Sequence, residues 1–191
     1  MIRIAVLGDI GVGKSFVAKQ FNCPLFNADK EVAKIYKNDR SCYLKLKKAL
    51  PKYIISDHLD KKFILKAVLD SKNNIKKISK IVHPIVRTRM NKFLVKNSSK
   101  KLVILDIPLY LENKLNKKGD VLIYVEAKRK DIQKRLKRRE YFNEKLHRNL
   151  KSLQLPLAKK KKLSNFVIKN TFNALKTKND VKKIKNEIIN T

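Results

Sequence analysis

Residues 8–15 read GDIGVGKS, and this stretch is the strongest signal for the fold in the sequence. It matches the pattern G-x-x-x-x-G-K-[ST] in full, and it follows an apolar run at 2–7 that is typical of a buried strand. Apolar residues at helical spacing continue from Lys14 to about Phe21, so the local order is strand, glycine loop, helix. In such a loop the backbone N–H groups turn inward around phosphates, and the helix N-terminus adds positive partial charge. The sequence therefore predicts a binding site for ATP or GTP.

The loop also supplies candidate ligands for a nucleotide and its magnesium ion. Lys14 is long enough to reach the β- and γ-phosphates, and the Ser15 hydroxyl is an oxygen ligand for Mg²⁺. Asp106 closes an apolar run at 102–105, where a carboxylate can hold Mg²⁺ directly or through water, although a helix cap or a surface role explains it equally well. The candidates for the phosphate cradle are Gly11, Val12, Gly13, Lys14, Ser15 and Phe16.

Further apolar runs predict the rest of a sheet. These runs are 24–27, 102–105, 121–125 and 166–168. Because helical patterns separate them, they favour a parallel α/β sheet flanked by helices. Residues from about 41 to 97 show helical periodicity that is interrupted at Pro84, and they predict a helical insertion. The basic stretch from about 129 to 163 and the lysine-rich C-terminus also predict helix.

Two kinds of side chain are candidates for acting on the transferred phosphoryl group and its acceptor. Asp29 lies just past the predicted strand at 24–27, and parallel topology tends to bring strand ends to the edge that carries the phosphate loop. It could accept a hydroxyl proton there, although a helix N-cap explains the aspartate equally well. One or two arginines could stabilise the transferring charge, whereas most would face solvent. The candidates are Arg135, Arg138, Arg139 and Arg148.

The composition limits the class of protein. The chain has 191 residues with 43% hydrophobic content, which suits one compact domain or one core with a small insertion. No apolar run approaches the roughly 18–20 residues that span a bilayer, and the N-terminus reads as a strand, so we expect a cytoplasmic protein. The two cysteines, Cys23 and Cys42, have no histidine beside them and indicate neither a zinc site nor a disulfide framework.

The charge is strongly positive. The 48 basic and 16 acidic residues give a net charge of +32, which in isolation points to nucleic acid or another polyanion. The lysines are scattered over every segment, and no aromatic residues interleave a basic stripe, so a general compositional bias is the preferred interpretation. A nucleic-acid-binding ATPase stays as an alternative. In both cases we expect phosphate-bearing ligands to be attracted and their affinity to fall as salt rises.

Taken in order, these motifs resemble one family, the dephospho-coenzyme A kinases, across nearly the whole chain. The family's loop G-G-I-G-S-G-K-S-T resembles residues 8–16 (GDIGVGKSF), its D-A-D resembles 27–29 (NAD), and its His-Pro pair resembles 83–84. Its P-L-L-x-E resembles 108–112 (PLYLE), its R-L-x-x-R-[DE] resembles 135–140 (RLKRRE), and its A-Q and V-I-D-N resemble 153–154 (LQ) and 167–170 (VIKN).

The resemblance implies an adenylate-kinase-like P-loop core with a parallel sheet flanked by helices, plus a helical acceptor-binding insertion and a lid. Within one domain, 1–191, the core covers about 1–37, 98–135 and 164–191, the acceptor-binding region about 38–97, and the lid about 136–163. The implied reaction uses ATP and Mg²⁺ to phosphorylate the ribose 3′-hydroxyl of dephospho-coenzyme A, the last step of coenzyme A biosynthesis. Another small-molecule or nucleotide P-loop kinase is the enzymatic alternative, and the oligomeric state stays open.

The resemblance also implies roles for individual residues. Asp29 becomes the general base, Lys14 and the loop amides hold ATP, and Arg139 becomes the lid arginine that neutralises developing charge. His83 and Glu112 are expected near the acceptor, with a capped or core histidine and a locally hydrogen-bonded glutamate as the alternatives. Four positions depart from the family pattern by replacing a glycine, a threonine and two aspartates. They are Asp9, Phe16, Asn27 and Lys169.

Overall fold

The computed structural model describes residues 1–138 and 142–190, and their contacts divide the chain into two compact units. The first unit, here called the sheet unit, comprises Met1–Asn27 and Lys96–Thr191. The second, here called the helical unit, comprises Ala28–Val95. The strands are β1 (Ile2–Gly8), β2 (Leu25–Asn27), β3 (Leu102–Asp106), β4 (Val121–Glu126) and β5 (Phe166–Lys169). The helices are α1 (Lys14–Gln20), α2 (Ala28–Asn38), α3 (Arg40–Ala49), α4 (Lys61–Asp70), α5 (Lys72–Lys96), α6 (Arg129–Lys137), α7 (Glu144–Lys151), α8 (Leu157–Lys162) and α9 (Ala174–Asn190).

The strands form a single parallel sheet in the order β2-β3-β1-β4-β5. In the central strand β1, Ile4 pairs with Ile104 of β3 and with Val121 of β4. Every residue of β3 is buried, as expected for a parallel strand covered by helices on both faces. The predicted parallel sheet flanked by helices is therefore confirmed, and the carboxyl ends of its strands share the edge where β1 enters the phosphate loop.

The sheet unit has a core between the sheet and helices α1 and α9. Val17 and Phe21 on the α1 side and Val181 of α9 are buried against Ile4 and its neighbours. Phe21 is fully buried, which contributes about 1.5–3 kcal/mol of hydrophobic stabilisation. This packing holds α1, and with it the phosphate loop, against the central strand.

The helical unit has a separate apolar core. Ile35, Cys42, Leu46 and Val82 are buried in it, and α2, α3, α4 and α5 supply its elements. Asp39 begins α3 as its N-cap by accepting a hydrogen bond from Cys42 N at 2.9 Å. Residues 28–95 are all described, and they contain helices and turns but no strand.

The structure corrects two local expectations and refines a third. Helix α5 continues through Pro84, because buried residues on both sides of the proline, such as Val82 and Met90, outweigh the one hydrogen bond that proline removes. The N-cap alternative for Asp29 is wrong, since α2 already begins at Ala28. The described residues of the basic stretch, 129–138 and 142–163, are largely helical as expected and form the separate helices α6, α7 and α8. No helix in the described ranges combines the length and apolar character needed to cross a membrane.

Candidate active site

The phosphate loop at residues 9–13 connects β1 to α1. Gly11 and Gly13 have φ of 89° and 92°, in the left-handed region that glycine enters without strain. Gly13 is the N-cap of α1, and no side chain caps that helix. Phe16 N and Val17 N both donate to the Gly13 carbonyl at 3.0 Å, so the intrahelical hydrogen bonds begin there. This is the backbone shape that turns N–H groups toward an anion.

A buried asparagine supports the loop. Asn170 follows β5 directly and is 2% exposed. Its Nδ2 donates to Val12 O at 2.8 Å, and its Oδ1 accepts from Phe172 N at 2.9 Å. Its backbone N donates to Glu126 O at 2.8 Å, which fixes Asn170 to the end of β4. A Cβ added at Gly13 would collide with Asn170 Nδ2, so the loop needs glycine there for space as well as for φ.

Lys14 and Ser15 occupy the first turn of α1 next to the loop. Lys14 Nζ donates to the carbonyl oxygens of Gly8 and Asp9, at 3.2 and 2.7 Å. The ammonium group therefore lies along the loop backbone, as a residue that reaches phosphates must. Ser15 is exposed, so its hydroxyl is accessible to a ligand.

Asp106 and Asn27 end neighbouring strands at the same edge of the sheet. They are paired in register, and Asn27 Nδ2 donates to Asp106 Oδ2 at 2.5 Å. Asp106 is 3% exposed, so an aspartate in place of Asn27 would put two carboxylates close together in a buried setting, which is costly. In this chain, Asn27 in place of the first aspartate of the D-A-D pattern therefore gives Asp106 a hydrogen-bond donor rather than a second carboxylate.

The oxygen atoms of Ser15 and Asp106 suit Mg²⁺. This hard cation usually takes one or two protein oxygens and fills its other positions with substrate phosphates and water. In the described ranges, no three His, Cys, Asp or Glu side chains cluster in a way that could hold a metal by themselves. The oxygen donors of Ser15 and Asp106 fit a Mg²⁺ ion whose other ligands come from a nucleotide and water.

Two predicted site residues belong to the helical unit. Asp29 is the second residue of α2, and it is exposed. A carboxylate in the first turn of a helix interacts favourably with the helix dipole. His83 is half-buried in α5, and burial, followed by the charge of Arg87, lowers the pKa of its imidazole. His83 is therefore neutral at neutral pH.

Glu112 forms a nearly buried ion pair. Its Oε1 accepts from Lys160 Nζ at 2.7 Å and from Leu155 N at 2.9 Å. The Lys160 and Glu112 side chains are 4% and 11% exposed. The other oxygen, Oε2, is buried and receives no hydrogen bond from the described residues. Glu112 thus has the local partners that the alternative interpretation expects, and its role toward the acceptor stays a prediction.

One candidate arginine lies beside the loop. The guanidinium carbon of Arg135 is 5.2 Å from the centre of the Phe172 ring, a cation–π distance. The same ring packs against Gly13, because its Cε1 lies 3.4 Å from the position that a Cβ of Gly13 would take. Arg138 ends α6 and is exposed. Arg139, the lid arginine implied by the resemblance, lies outside the described residues.

A cavity of about 510 Å³ lies beside Asn170, the residue that supports the phosphate loop. It is lined by the ends of β4 and β5 and the start of α6, including Lys128, Lys169 and Asn170. Asn170 also contacts Val12, so the cavity is next to the phosphate loop. A concave site of this size can enclose most of a small ligand.

The sequence pattern identified Asn170 only as part of a motif and gave it no role in the site. Its contact with Val12 joins segments 158 residues apart in the chain, and residue spacing does not reveal such a contact. The retained asparagine in VIKN, next to the altered Lys169, was the one available signal.

Comparison with known proteins extends these observations. The family model for dephospho-CoA kinase matches residues 2–176. The dephospho-CoA kinase of Wolbachia sp. subsp. Brugia malayi (strain TRS) is 34% identical over 170 residues, which cover 86% of this chain and 87% of that protein. A crystal structure of a Thermus thermophilus protein is similar with a TM-score of 0.78 at 25% identity, over 97% of both chains. The dephospho-CoA kinase from Campylobacter jejuni shares the fold with a TM-score of 0.65 at 21% identity, over 97% of this chain and 96% of that one. The phosphate loop lies on a sheet shared with these proteins, and the family model spans nearly the whole chain, so the chain belongs to the dephospho-CoA kinase family.

Proposed function

We propose that this protein transfers the γ-phosphoryl group of ATP to the 3′-hydroxyl of the ribose of dephospho-coenzyme A. The observation that carries the proposal is the family match over residues 2–176, which includes the complete phosphate loop. In the reaction the acceptor oxygen forms a bond to the γ-phosphorus, and the bond from that phosphorus to the β–γ bridging oxygen breaks. The products are ADP and coenzyme A, and the hydroxyl proton leaves to a base.

The nucleotide side of the reaction is assigned to the sheet unit. Backbone N–H groups of residues 11–16 bind the phosphates, and Lys14 moves from the loop carbonyls to the β- and γ-phosphates. Ser15 and Asp106 would hold a magnesium ion, which would supply charge neutralisation for the transfer. The left-handed φ values of Gly11 and Gly13 support this assignment, since they give the loop its anion-binding shape. The cavity beside Asn170 is the proposed place for the base and ribose of ATP.

The acceptor side is assigned to the region at about 38–97 together with Asp29. Asp29 accepts the hydroxyl proton, and it is suited to this because it is exposed and follows directly on the strand edge that ends at Asn27. His83 and Glu112 are proposed to contact the acceptor. A neutral His83 can donate one hydrogen bond and accept another, which suits a ligand with hydroxyl and phosphate groups.

The region at about 136–163 is the proposed lid over the nucleotide. Closure of a lid excludes water, which would otherwise compete with the acceptor for the phosphoryl group. Arg139 is proposed to reach the transferring phosphoryl group when the lid closes. We place the reaction in the cytoplasm, a location that fits the unpaired thiols of Cys23 and Cys42.

The proposal is tested by coupled ADP release with Mg-ATP. Dephospho-coenzyme A is compared with adenosine, shikimate and single-stranded DNA as the second substrate. Asp29→Asn is run alongside, with Asp57→Asn as the matched control because Asp57 is an exposed aspartate of the same unit. We expect turnover with dephospho-coenzyme A alone, reduced roughly 100-fold or more by Asp29→Asn and unchanged by Asp57→Asn.

Three other outcomes would reject parts of the proposal. Turnover with a different small acceptor would identify another P-loop kinase. ATP hydrolysis stimulated by DNA, with no effect of dephospho-coenzyme A, would instead assign the positive charge a nucleic-acid-binding role. Full activity in Asp29→Asn would remove Asp29 as the base while leaving the reaction in place.

A further inference from the structure

The phosphate loop carries a carboxylate where the related pattern has glycine. Asp9 is the second residue of the loop motif, and its side chain is 14% exposed. Its Oδ1 accepts a hydrogen bond from Ile10 N at 2.7 Å. Ile10 lies outside the set of amides assigned to the phosphates, so this bond fixes the carboxylate to the loop without using a phosphate donor.

The same carboxylate is paired with a lysine from a distant segment. Asp9 Oδ2 lies 3.8 Å from Nζ of Lys151, the last residue of α7. Lys151 is 55% exposed, so its ammonium group stays partly hydrated while it faces a mostly buried carboxylate. Lys14 meanwhile donates to the backbone oxygen of Asp9 at 2.7 Å, so Lys14 and Lys151 contact different parts of the same residue.

The charge balance at the loop depends on this pair. Lys14 is the cation that a phosphate loop needs, and the negative charge of Asp9 offsets it. An uncompensated carboxylate would repel a triphosphate most strongly where solvent is largely excluded, because screening is weaker there. Lys151 adds a second positive charge, so Lys14, Asp9 and Lys151 together carry a net positive charge.

We propose that Lys151 is a positioning residue for nucleotide binding, which neutralises Asp9 and so lets a phosphate loop with a carboxylate at its second position accept ATP. This inference rests on the proposed use of ATP, and it identifies a residue of the lid region as part of the electrostatics of the loop. Lys151 acts through Asp9 and need not touch the nucleotide.

The test is a double-mutant cycle read out by calorimetric titration with Mg-ATP in the absence of any acceptor. Lys151→Met removes the charge and keeps the length of the side chain. Asp9→Asn removes the opposing charge and keeps an oxygen acceptor for Ile10 N. Lys145→Met is the matched control, because Lys145 is an exposed lysine of the same helix.

We expect Lys151→Met to weaken ATP binding about threefold to fivefold, the range of a partly exposed ion pair. The loss should disappear in the Asp9→Asn background and shrink in high salt. Lys151→Arg, which keeps the charge, should bind as the unaltered protein does, and thermal unfolding would show that each variant folds.

Two results would overturn the inference. One is an equal loss in Lys151→Met and Lys145→Met, since this would reflect net charge alone. The other is a loss that persists undiminished beside Asp9→Asn, since Lys151 would then contact the nucleotide directly. Binding is measured without dephospho-coenzyme A, so a wrong acceptor assignment would leave this experiment unaffected.

Discussion

The sheet unit and the helical unit present their candidate residues in different ways. In the sheet unit they are held by backbone conformation and buried polar contacts, as with Gly13 at φ 92° and with Asn170 and Asp106, which are 2% and 3% exposed. In the helical unit, Asp29 is exposed and His83 is half-buried, on helices whose buried residues are largely apolar. The candidate residues of the sheet unit are therefore fixed by backbone shape and buried contacts, whereas Asp29 and His83 of the helical unit are more accessible to solvent.

This contrast predicts where substitutions act. Substitutions that change the shape of a side chain in the sheet unit should lower activity or stability even when no charged group is lost. The reason is that the polar groups of this unit are buried and hydrogen-bonded to one another. Changes in the helical unit should act mainly on the acceptor or on the dependence of stability on pH. Four substitutions and their controls test this contrast.

The largest effect is expected from Gly13→Ala. The new methyl group would collide with Asn170 Nδ2, and the residue would be held at a φ that alanine rarely adopts. A displacement of the loop by about 1 Å can cost roughly 100-fold in rate, and we expect a loss of that size in ATP-dependent turnover. Steady-state kinetics measures the loss, and circular dichroism verifies the fold.

Gly119→Ala provides the matched control for Gly13→Ala. Gly119 also has a positive φ, of 88°, but a Cβ there meets no atom within 4 Å. It should cost about 1 kcal/mol of stability from backbone strain and leave turnover unchanged. Equal activity losses in both variants would show that strain, rather than the contact with Asn170, explains the need for glycine.

The next effect is expected from Glu112→Gln. Lys160 is 3% exposed, and removing its partner charge leaves a buried ammonium group uncompensated. Unfolding in urea should show a loss of about 3 kcal/mol. Adding Lys160→Met should recover part of the stability, while KM for dephospho-coenzyme A should be raised in both variants because Glu112 is proposed to contact the acceptor. An unchanged KM would remove Glu112 from the acceptor side and leave it only as the structural partner of Lys160.

Local sequence patterns were sufficient to predict the parallel sheet and the phosphate loop. The continuous apolar runs at 102–105 and 121–125 correspond to β3 and β4 within one residue, because buried parallel strands need apolar side chains on both faces. The G-x-x-x-x-G-K-S motif similarly placed the loop between β1 and α1. Each feature depends on residues that are adjacent in the chain, so the sequence alone contains the signal.

The supporting contacts of the site could not be predicted in this way. The bond from Asn170 to Val12 joins residues 158 positions apart, and that from Leu155 to Glu112 joins residues 43 apart. Both depend on how distant segments pack, which periodicity does not encode. At Pro84 a local pattern gave a wrong prediction. The rule that proline breaks a helix predicted an interruption, but α5 continues through Pro84 because residues on both sides of it are buried.

A smaller effect is expected from Asn27→Asp, which restores the family's first aspartate. It would replace the donor to Asp106 with a second carboxylate, and the two like charges would repel each other in a buried setting. Without Mg²⁺, we expect stability to fall on the order of 1 kcal/mol. Calorimetric melting with and without Mg²⁺ measures this, and the ion should restore part of the loss.

Asn27→Ser is the neutral control for that change. It removes the amide donor without adding charge, so Mg²⁺ should raise its melting temperature less than that of Asn27→Asp. Equal responses of the two variants would show that Mg²⁺ does not bind beside residue 27, and the assignment of the neighbouring Asp106 to the ion would lose this support.

The smallest effect concerns His83 and the pH dependence of stability. Burial lowers the pKa of its imidazole in the folded protein, so the unfolded chain binds the proton more readily. Stability should therefore be fully present above the unfolded pKa of about 6.5 and should decline as pH falls through and below that value. His83→Gln removes this titration, so its urea midpoint should fall less than that of the unaltered protein between about pH 7.5 and pH 5.5.

His58→Gln is the matched control, because His58 is an exposed histidine of the same unit. If both substitutions changed the pH profile equally, burial of His83 would not be the cause, and this histidine would behave like the exposed side chains of the helical unit.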